Sequence, residues 1–354
     1  MNIKIHSNEL NRMMKTIVQC IDQRDITNKA NICITHDDNK LSIRAANGIF
    51  SAVMTAPVMG GDGESFCVDG SMFAKVCAMC SGEISIVTDG KTCTVKGLGR
   101  TKLPIVNASI PEYEPVKGNT ITTTGEKFSG CYGSVAYAIA ADQTRIQLTG
   151  VLMECVNDRM KMVALDGFQM SIEEDDCTGD GVKAIVPGTF MKLIASSTGN
   201  AEDLRITFSK TGVQAETDSM MMKCGLLAGE YVDYNRILPK DFSTKVKVNV
   251  SAMRDALRAG NVVNSKQSLV KLDVGPDMIM IRNNGESADY EADIHCETNG
   301  NGLKIAFNEK YLMNTISALS TDDAVMNMNS GSSPVVMTGM DGKGYRLVLP
   351  VRVM

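Results

Sequence analysis

A short alternation of apolar and polar positions, followed by a helical stripe, opens the chain and then returns twice. In MNIKIHSNELNRMMKTIVQCI, Ile3 and Ile5 alternate along a strand, and Leu10, Met13, Met14, Ile17 and Val18 then fall on one helix face. The same order of patterns recurs in TITTTGEKFSGCYGSVAYAI from Thr120 and KVKVNVSAMRDALRAGNVV from Lys245, a spacing of roughly 120 residues. Ser7 and Ser251 stand where N-caps of the first and third of these helices belong.

The middle of each repeat carries two alternating segments around an Asn-Gly or Asp-Gly dipeptide: KLSIRAANGIFSAVMTAPV, RMKMVALDGFQMSIEED and MIMIRNNGESADYEADI. Both dipeptides tolerate positive φ, so each segment reads as a hairpin. SFCVDGSMFAKVCAMC, VKAIVPGTFMKLIASS and LKIAFNEKYLMNTISAL follow, each a strand leading into a helix with an aromatic near its start. Further alternating segments close each repeat, ending in TKLPIV, MMMKCGLL and YRLVLPV. The expected unit is therefore β-α-β-β-β-α-β-β-β, repeated three times. Pro and Gly cluster in PEYEPVKGN and near ILPKDFST, which places domains at 1–118, 119–243 and 244–354. In the last strand, Pro350 forbids a central ladder position, so that strand must end at an edge or leave its sheet.

At 354 residues the chain exceeds one ordinary core, in keeping with several domains. No run approaches the roughly 18 apolar residues of a membrane helix. The opening MNIKIHSNEL lacks a secretory h-region, so a cytoplasmic location is expected. The net charge of −5 argues at first sight against a nucleic-acid partner, because phosphate binding usually needs a basic surplus. Eleven scattered cysteines fit reduced thiols better than a disulfide framework. The one CxxC, Cys77 and Cys80, shares a helix face with Phe73 and Val76. It is a redox pair, half a zinc site, or two small residues in a core; with no second pair and three histidines in the chain, the core reading is preferred.

No phosphate loop, dinucleotide fingerprint, zinc-protease helix or nucleophile elbow occurs in the sequence. GGDGES and EEDDCTGDGV are acidic, Gly-containing turns that either hold a cation or are solvated loops, and neither has EF-hand spacing. Asp166 in ALDGFQ is accounted for by hairpin-turn duty. The expectation is a non-catalytic protein without cofactor or metal.

The threefold repeat, the ALDGFQMS hairpin, the EYVDYNRILPK linker and the LPVRV ending together resemble the bacterial DNA polymerase III β subunit family, the sliding clamps, over the whole chain. The resemblance implies an α+β fold of three clamp-type domains, each with two helices backed by antiparallel sheets. It also implies a ring-shaped homodimer that encircles duplex DNA without regard to sequence and acts as processivity factor of the replicative polymerase. A ring holds DNA by topology, so weak phosphate contacts inside an acidic exterior answer the charge objection. The implied partners are duplex DNA, the polymerase III catalytic subunit, the clamp loader and other proteins bearing a clamp-binding motif, with no membrane.

Carried onto this sequence, the family's peptide pocket comprises Leu148, Leu165, Gly167, Met170, Val232, Arg236, Ile237, Asn308, Tyr311, Pro334, Leu347, Leu349, Pro350, Val351 and Arg352. Phe168 and Gln169 depart from the His-Arg common there, and Gln267 from an aromatic, which implies a less basic groove with its own peptide preference. The DNA-facing candidates are Arg24, Lys15, Lys75, Arg100, Lys102, Arg145, Lys192, Arg254 and Arg258, with Arg24 matching a DNA-contacting arginine of the family. At the dimer interface, Leu103 and Ile105 are expected against Val262 and Val263. Two alternatives stay open: an enzyme with a metal in the acidic turns, and a protein-binding repeat scaffold that never encircles DNA.

Overall fold

The computed structural model describes residues 1–21, 30–61, 63–110, 114–263 and 268–352. The first repeat runs β1 (Asn2–His6), α1 (Ser7–Ile17), β2 (Asn31–Asp37), β3 (Lys40–Ala46), β4 (Phe50–Pro57), β5 (Glu64–Asp69), α2 (Gly70–Ala78), β6 (Glu83–Thr88), β7 (Thr92–Lys96) and β8 (Arg100–Pro104). The second runs β9 (Asn119–Thr124), α3 (Gly125–Val135), β10 (Gly150–Val156), β11 (Arg159–Leu165), β12 (Gln169–Asp176), β13 (Val182–Pro187), α4 (Gly188–Ser197), β14 (Asp203–Phe208), β15 (Gly212–Thr217) and β16 (Met220–Gly225). The third runs β17 (Thr244–Asn249), α5 (Val250–Gly260), β18 (Leu269–Val274), β19 (Met278–Asn284), β20 (Asp289–Asn299), β21 (Leu303–Asn308), α6 (Glu309–Ser317), β22 (Asp323–Met328), β23 (Val335–Gly339) and β24 (Tyr345–Val348).

The three repeats share one element order, and that order corrects the expected unit by one strand. β2, β10 and β18 each stand between the first helix and the hairpin. NICITHD, GVLMECV and LVKLDV carry the strand pattern, but each abuts the hairpin so closely that the two merge on reading. The caps also move. His6 and Asn249, the last residues of β1 and β17, cap the helices by accepting from the backbone N–H of Asn8 and Ala252, while Ser7 lies inside its helix and is buried. Asp69 and Asn308 repeat this device at α2 and α6, so strand runs into helix without a loop.

By contact density the chain forms two compact units, and the second repeat contributes to both. The first unit holds Met1–Ser129, Val156–Asp158 and Cys177–Leu226. Within it, one sheet has the order β1-β6-β7-β8 and another β5-β2-β3-β4-β16-β15-β14-β9, all antiparallel. Leu10, Met13, Met14 and Ile17 of α1 are buried as their spacing requires, and α1 packs beside both α2 and α4, with the Thr16 and Ser197 hydroxyls 2.9 Å apart. The second unit, Gly130–Cys155, Arg159–Asp176 and Leu227–Met354, carries strands in the order β10-β11-β12-β24-β23-β22-β17-β20-β19-β18-β21. A core lies in the third repeat, where Met253, Leu257, Leu312 and Ile316 of the paired helices α5 and α6 meet Ile279, Ile281, Phe307 and Met326 from the strands.

Candidate functional site

In the second unit the hairpin β11–β12, helix α6 and the segment after β24 converge. Leu165 pairs with Met170 across the hairpin, and Met170 pairs with Leu347 across β12–β24. The turn is built by Asp166. One carboxylate oxygen accepts from the N–H groups of Phe168 and Gln169 at 2.8 and 2.9 Å, and the other accepts from the Gln169 side chain at 2.9 Å. Gly167 supplies the positive φ of 95° that the turn needs. This locked turn presents Phe168, which is 55% exposed and stacks on Tyr311 of α6 with ring centroids 5.3 Å apart at 12°. Burial, and then the nearby Asp166 carboxylate, push the Tyr311 hydroxyl up from its ordinary pKa, so the ring stays neutral.

The chain beyond β24 leaves the sheet, which decides the question raised by Pro350. β24 itself is internal, flanked by β12 and β23. Past its end the Leu349 N–H donates to the Phe168 carbonyl at 2.9 Å, and the Val351 N–H donates to the Ala306 carbonyl at 2.8 Å. Leu349 and Pro350 thus run half-buried beside the hairpin tip, while Val351 and Arg352 are exposed. Tyr231 anchors the linker by donating to the Val163 carbonyl at 3.3 Å, and Tyr234 donates to Glu154 at 2.7 Å. That leaves Val232 half-buried, Ile237 at the surface and Arg236 exposed beside Asp233 at 2.9 Å.

The expected pocket residues therefore divide in two. Leu148, Leu165, Met170 and Leu347 are buried within this unit, the last three in one row across β11, β12 and β24. Gly167, Val232, Arg236, Ile237, Asn308, Tyr311, Pro334, Leu349, Pro350, Val351 and Arg352 retain accessible surface, with Asn308 capping α6. Phe168 was absent from the expected set. Its signal lay in the sequence: a large aromatic directly after a hairpin glycine is forced outward by the turn.

Among the charged candidates, Lys15, Lys75 and Lys192 are exposed, one on α1 and one on each of the helices α2 and α4 that pack against it in the first unit. Arg254 is half-buried and Arg258 exposed on α5, the latter 3.8 Å from Asp255. Arg145 is exposed at a kink in the 3₁₀ turn of residues 143–149. Arg24 lies outside the described residues, as does Gln267. Arg100 and Lys102 are exposed on β8, the open edge of the four-stranded sheet. On the same strand Leu103 turns inward and is 5% exposed, because alternation puts it on the face opposite its charged neighbours. It is a core residue of the folded chain. Ile105 is half-buried, Val262 is 86% exposed just beyond α5, and Val263 is half-buried.

The acidic run EEDD is strand, not loop. Glu173 pairs with Arg346, Glu174 with Lys161 at 2.8 Å, and Asp176 with Arg159 at 3.0 Å. Among the described residues no three His, Cys, Asp or Glu side chains gather as a metal site. In the CxxC, Cys77 is fully buried in its helix face beside Phe73 and Val76, and burial pushes its thiol well up. Among the described residues no helix is long and apolar enough to cross a membrane.

Repeats joined through their sheet edges, with an aromatic-lined surface at one junction, define a non-enzymatic repeat scaffold of the sliding-clamp fold. Residues 123–233 match the central-domain model, and 235–352 the C-terminal-domain model, of the DNA polymerase III beta subunit. The chain belongs to the DNA polymerase III beta subunit family, whose members are sliding clamps of DNA replication rather than enzymes. It is 22% identical to the beta sliding clamp of Vibrio cholerae over 335 residues, covering 91% of this chain and 92% of that one. It is 23% identical to that of Streptomyces coelicolor over 354 residues, with 92% of each covered. The fold matches the DNA polymerase III subunit beta of Pseudomonas aeruginosa with a TM-score of 0.91 and that of Thermotoga maritima with 0.92, at 20% and 19% identity and full coverage of both chains.

Proposed function

We propose that two copies of this chain close head to tail into a ring around duplex DNA, and that the surface around Phe168 and Tyr311 receives a short apolar peptide of the polymerase. The rule by which the repeats join carries the reading. At both junctions within the chain, the last strand of one repeat adds to the strand after the hairpin turn of the repeat before it: β16 on β4 and β24 on β12. The register is the same at both, with Lys223 opposite Ser51 and the equivalent Leu347 opposite Met170.

Two edges remain for that rule. β8 is the terminal strand of its sheet, and along Asp289–His295 β20 pairs only with β19 among the described strands. Applying the shared register to these edges sets Lys102 opposite Asp289 of a second copy and Arg100 opposite Glu291 of a second copy. Opposite charges directly across an antiparallel pair stabilise it, by about 0.2–1 kcal/mol each. A contact between different surfaces closes into a ring when its rotation suits, and closure leaves no exposed edge. This assigns the interface to the polar edges of β8 and β20, with Ile105 and Val262 as apolar additions at its rim.

Lys15, Lys75 and Lys192 on the helix row supply positive charge to a sequence-independent phosphate surface, within a chain whose net charge is −5. Retention on nicked circular DNA after treatment with a cognate clamp loader tests the proposal. Loss of bound protein only when the circle is cut indicates encirclement. Retention that survives linearisation indicates ordinary surface binding, and no loading at all favours a protein-binding scaffold.

A further inference from the structure

Three strands of the first unit place Cys67, Cys33 and Arg44 in one transverse row. Cys33 on β2 is directly opposite Cys67 on β5 and directly opposite Arg44 on β3. The row is a close one. Gly70 N–H donates to the Ala30 carbonyl, so 30/70 is a hydrogen-bonded pair and, by alternation, 33/67 is a non-hydrogen-bonded pair. The Cys67 carbonyl agrees, because it points away from β2 to accept from Val106 N–H at 2.9 Å. Such pairs hold their Cα atoms about 4.5 Å apart with side chains turned together, within the roughly 4.4–6.8 Å that a disulfide spans.

The chemistry around the two sulfurs is unequal. The Arg44 guanidinium donates to Cys33 Sγ at 3.6 Å, and the Ser65 hydroxyl lies 3.4 Å from the same atom. Burial pushes the Cys33 thiol up, but hydrogen bonds from Ser65, Arg44 and Cys67, with the Arg44 charge, outweigh it and bring its pKa below the ordinary value. Cys67 Sγ instead donates to the Ala108 carbonyl at 3.3 Å, and burial, then the neighbouring Cys33, push it up to about 12. Cys33 and Cys67 are among the residues lining a cavity of about 560 Å³ that also includes Arg44, Ser65 and Ala108. That is ample for a peroxide molecule.

We propose that Cys33 and Cys67 form a reversible thiol–disulfide site oxidised by peroxide, with Cys33 the reacting thiolate and Cys67 the resolving thiol. Cys33 sulfur attacks one peroxide oxygen, the O–O bond breaks, and a sulfenic acid forms as hydroxide leaves. Cys67 sulfur then attacks Cys33 sulfur, the S–O bond breaks, and the Cys67 proton departs with that oxygen as water. Two thiols and one peroxide yield one disulfide and two waters, the thiols losing two electrons to the peroxide. Closing the bond removes the S–H that Cys67 donates to Ala108, freeing one anchor of the segment that follows β8. The site is independent of the ring proposal.

The test treats the full chain with hydrogen peroxide, blocks remaining thiols with N-ethylmaleimide, and maps tryptic peptides by mass spectrometry. The expected product links the peptide holding Cys33 to that holding Cys67, while Cys77 and Cys80 stay alkylated, and a thiol reductant restores both sites. C67S is expected to accumulate a dimedone-trapped sulfenic acid on Cys33, and Arg44→Met to slow disulfide formation at least tenfold at neutral pH. Oxidation of Cys33 no faster than Cys77 in the unmodified protein, or a disulfide that forms equally fast in Arg44→Met, overturns the proposal.

Discussion

The Phe168 ring lies on the Tyr311 ring, centroids 5.3 Å apart, joining the hairpin of the second repeat to a helix of the third. At the junction between the first and second repeats Phe50, which stands where the second hairpin has Gln169, one position after the equivalent of Phe168, stacks on Phe190 at 5.8 Å, with Phe190 fully buried. At the first junction Phe50 is half-buried over a sealed Phe190, whereas the other leaves Phe168 more than half exposed. A repeated join has thus become a repeated join with a surface to offer.

If that surface receives the partner peptide, Tyr311→Ala is expected to weaken binding more than Phe168→Ala, because Tyr311 supports Phe168 as well as touching the ligand. Each truncation should cost about 1–2 kcal/mol, roughly tenfold in Kd. A double-mutant cycle read by fluorescence polarisation with a labelled apolar pentapeptide should show coupling of about 0.5–1.5 kcal/mol. Strictly additive losses would mean the stack plays no part in recognition.

The register shared by the two internal junctions makes a sharper claim about assembly. Lys102→Glu places two acids opposite each other at the proposed β8–β20 contact and is expected to shift the protein to monomer in sedimentation velocity. Asp289→Lys alone should do the same, and the two together should restore the dimer. Monomer in all three variants would show that these residues do not face each other. Leu103→Ala, by contrast, should lower stability by about 2–4 kcal/mol through its own core.

Much of this is legible in the sequence, and what is not has physical causes. The repeat, the helix stripes and the hairpin turns are local, so periodicity and turn chemistry carry them. The fate of Pro350 followed from its missing N–H. The caps were misplaced because His6 and Asn249 serve as the last strand residue and the N-cap at once. Apolar character alone points Leu103 to an interface; its place in RTKLP puts it on the face opposite Lys102, where it is buried within its own chain. The register of β16 on β4 lies beyond local reading altogether, since Phe50 and Cys224 meet only in the folded sheet. Without it, the complementary charges on β8 and β20 have no reason to be compared.

Arg346 tests how the β12–β24 junction is held. Its guanidinium donates to the Ile172 carbonyl at 3.0 Å and pairs with Glu173, with both side chains largely buried. Arg346→Met leaves the Glu173 carboxylate without its counter-charge and is expected to cost about 3–5 kcal/mol. Adding Glu173→Met should recover most of that loss, because the desolvation penalty disappears with both charges. Urea unfolding monitored by far-UV circular dichroism reads the difference. A double variant no more stable than the single one would mean that the pair holds β24 by shape, not by charge.

Glu309 adds a dependence on pH close to the proposed assembly edge. It is 2% exposed at the start of α6, with the Asn283 amide donating to its carboxylate at 3.1 Å, and Asn283 pairs with Tyr290 on β20. Burial raises the Glu309 pKa to about 7, and the Asn283 hydrogen bond offsets this only in part. Between the ordinary carboxylate pKa and about 7, the folded chain holds a proton that the unfolded chain has released. Stability from this group is therefore greatest in acid, falls as pH rises through that window and levels off above it. Each pKa unit corresponds to about 1.4 kcal/mol, so the whole effect is on the order of 3–4 kcal/mol. Glu309→Gln keeps the shape and removes the titration. Its Tm should match the unmodified protein near pH 5 and exceed it by several degrees at pH 8. A Tm difference that stays constant from pH 5 to pH 8 would show that Glu309 is ionised throughout, its burial compensated by a partner other than Asn283.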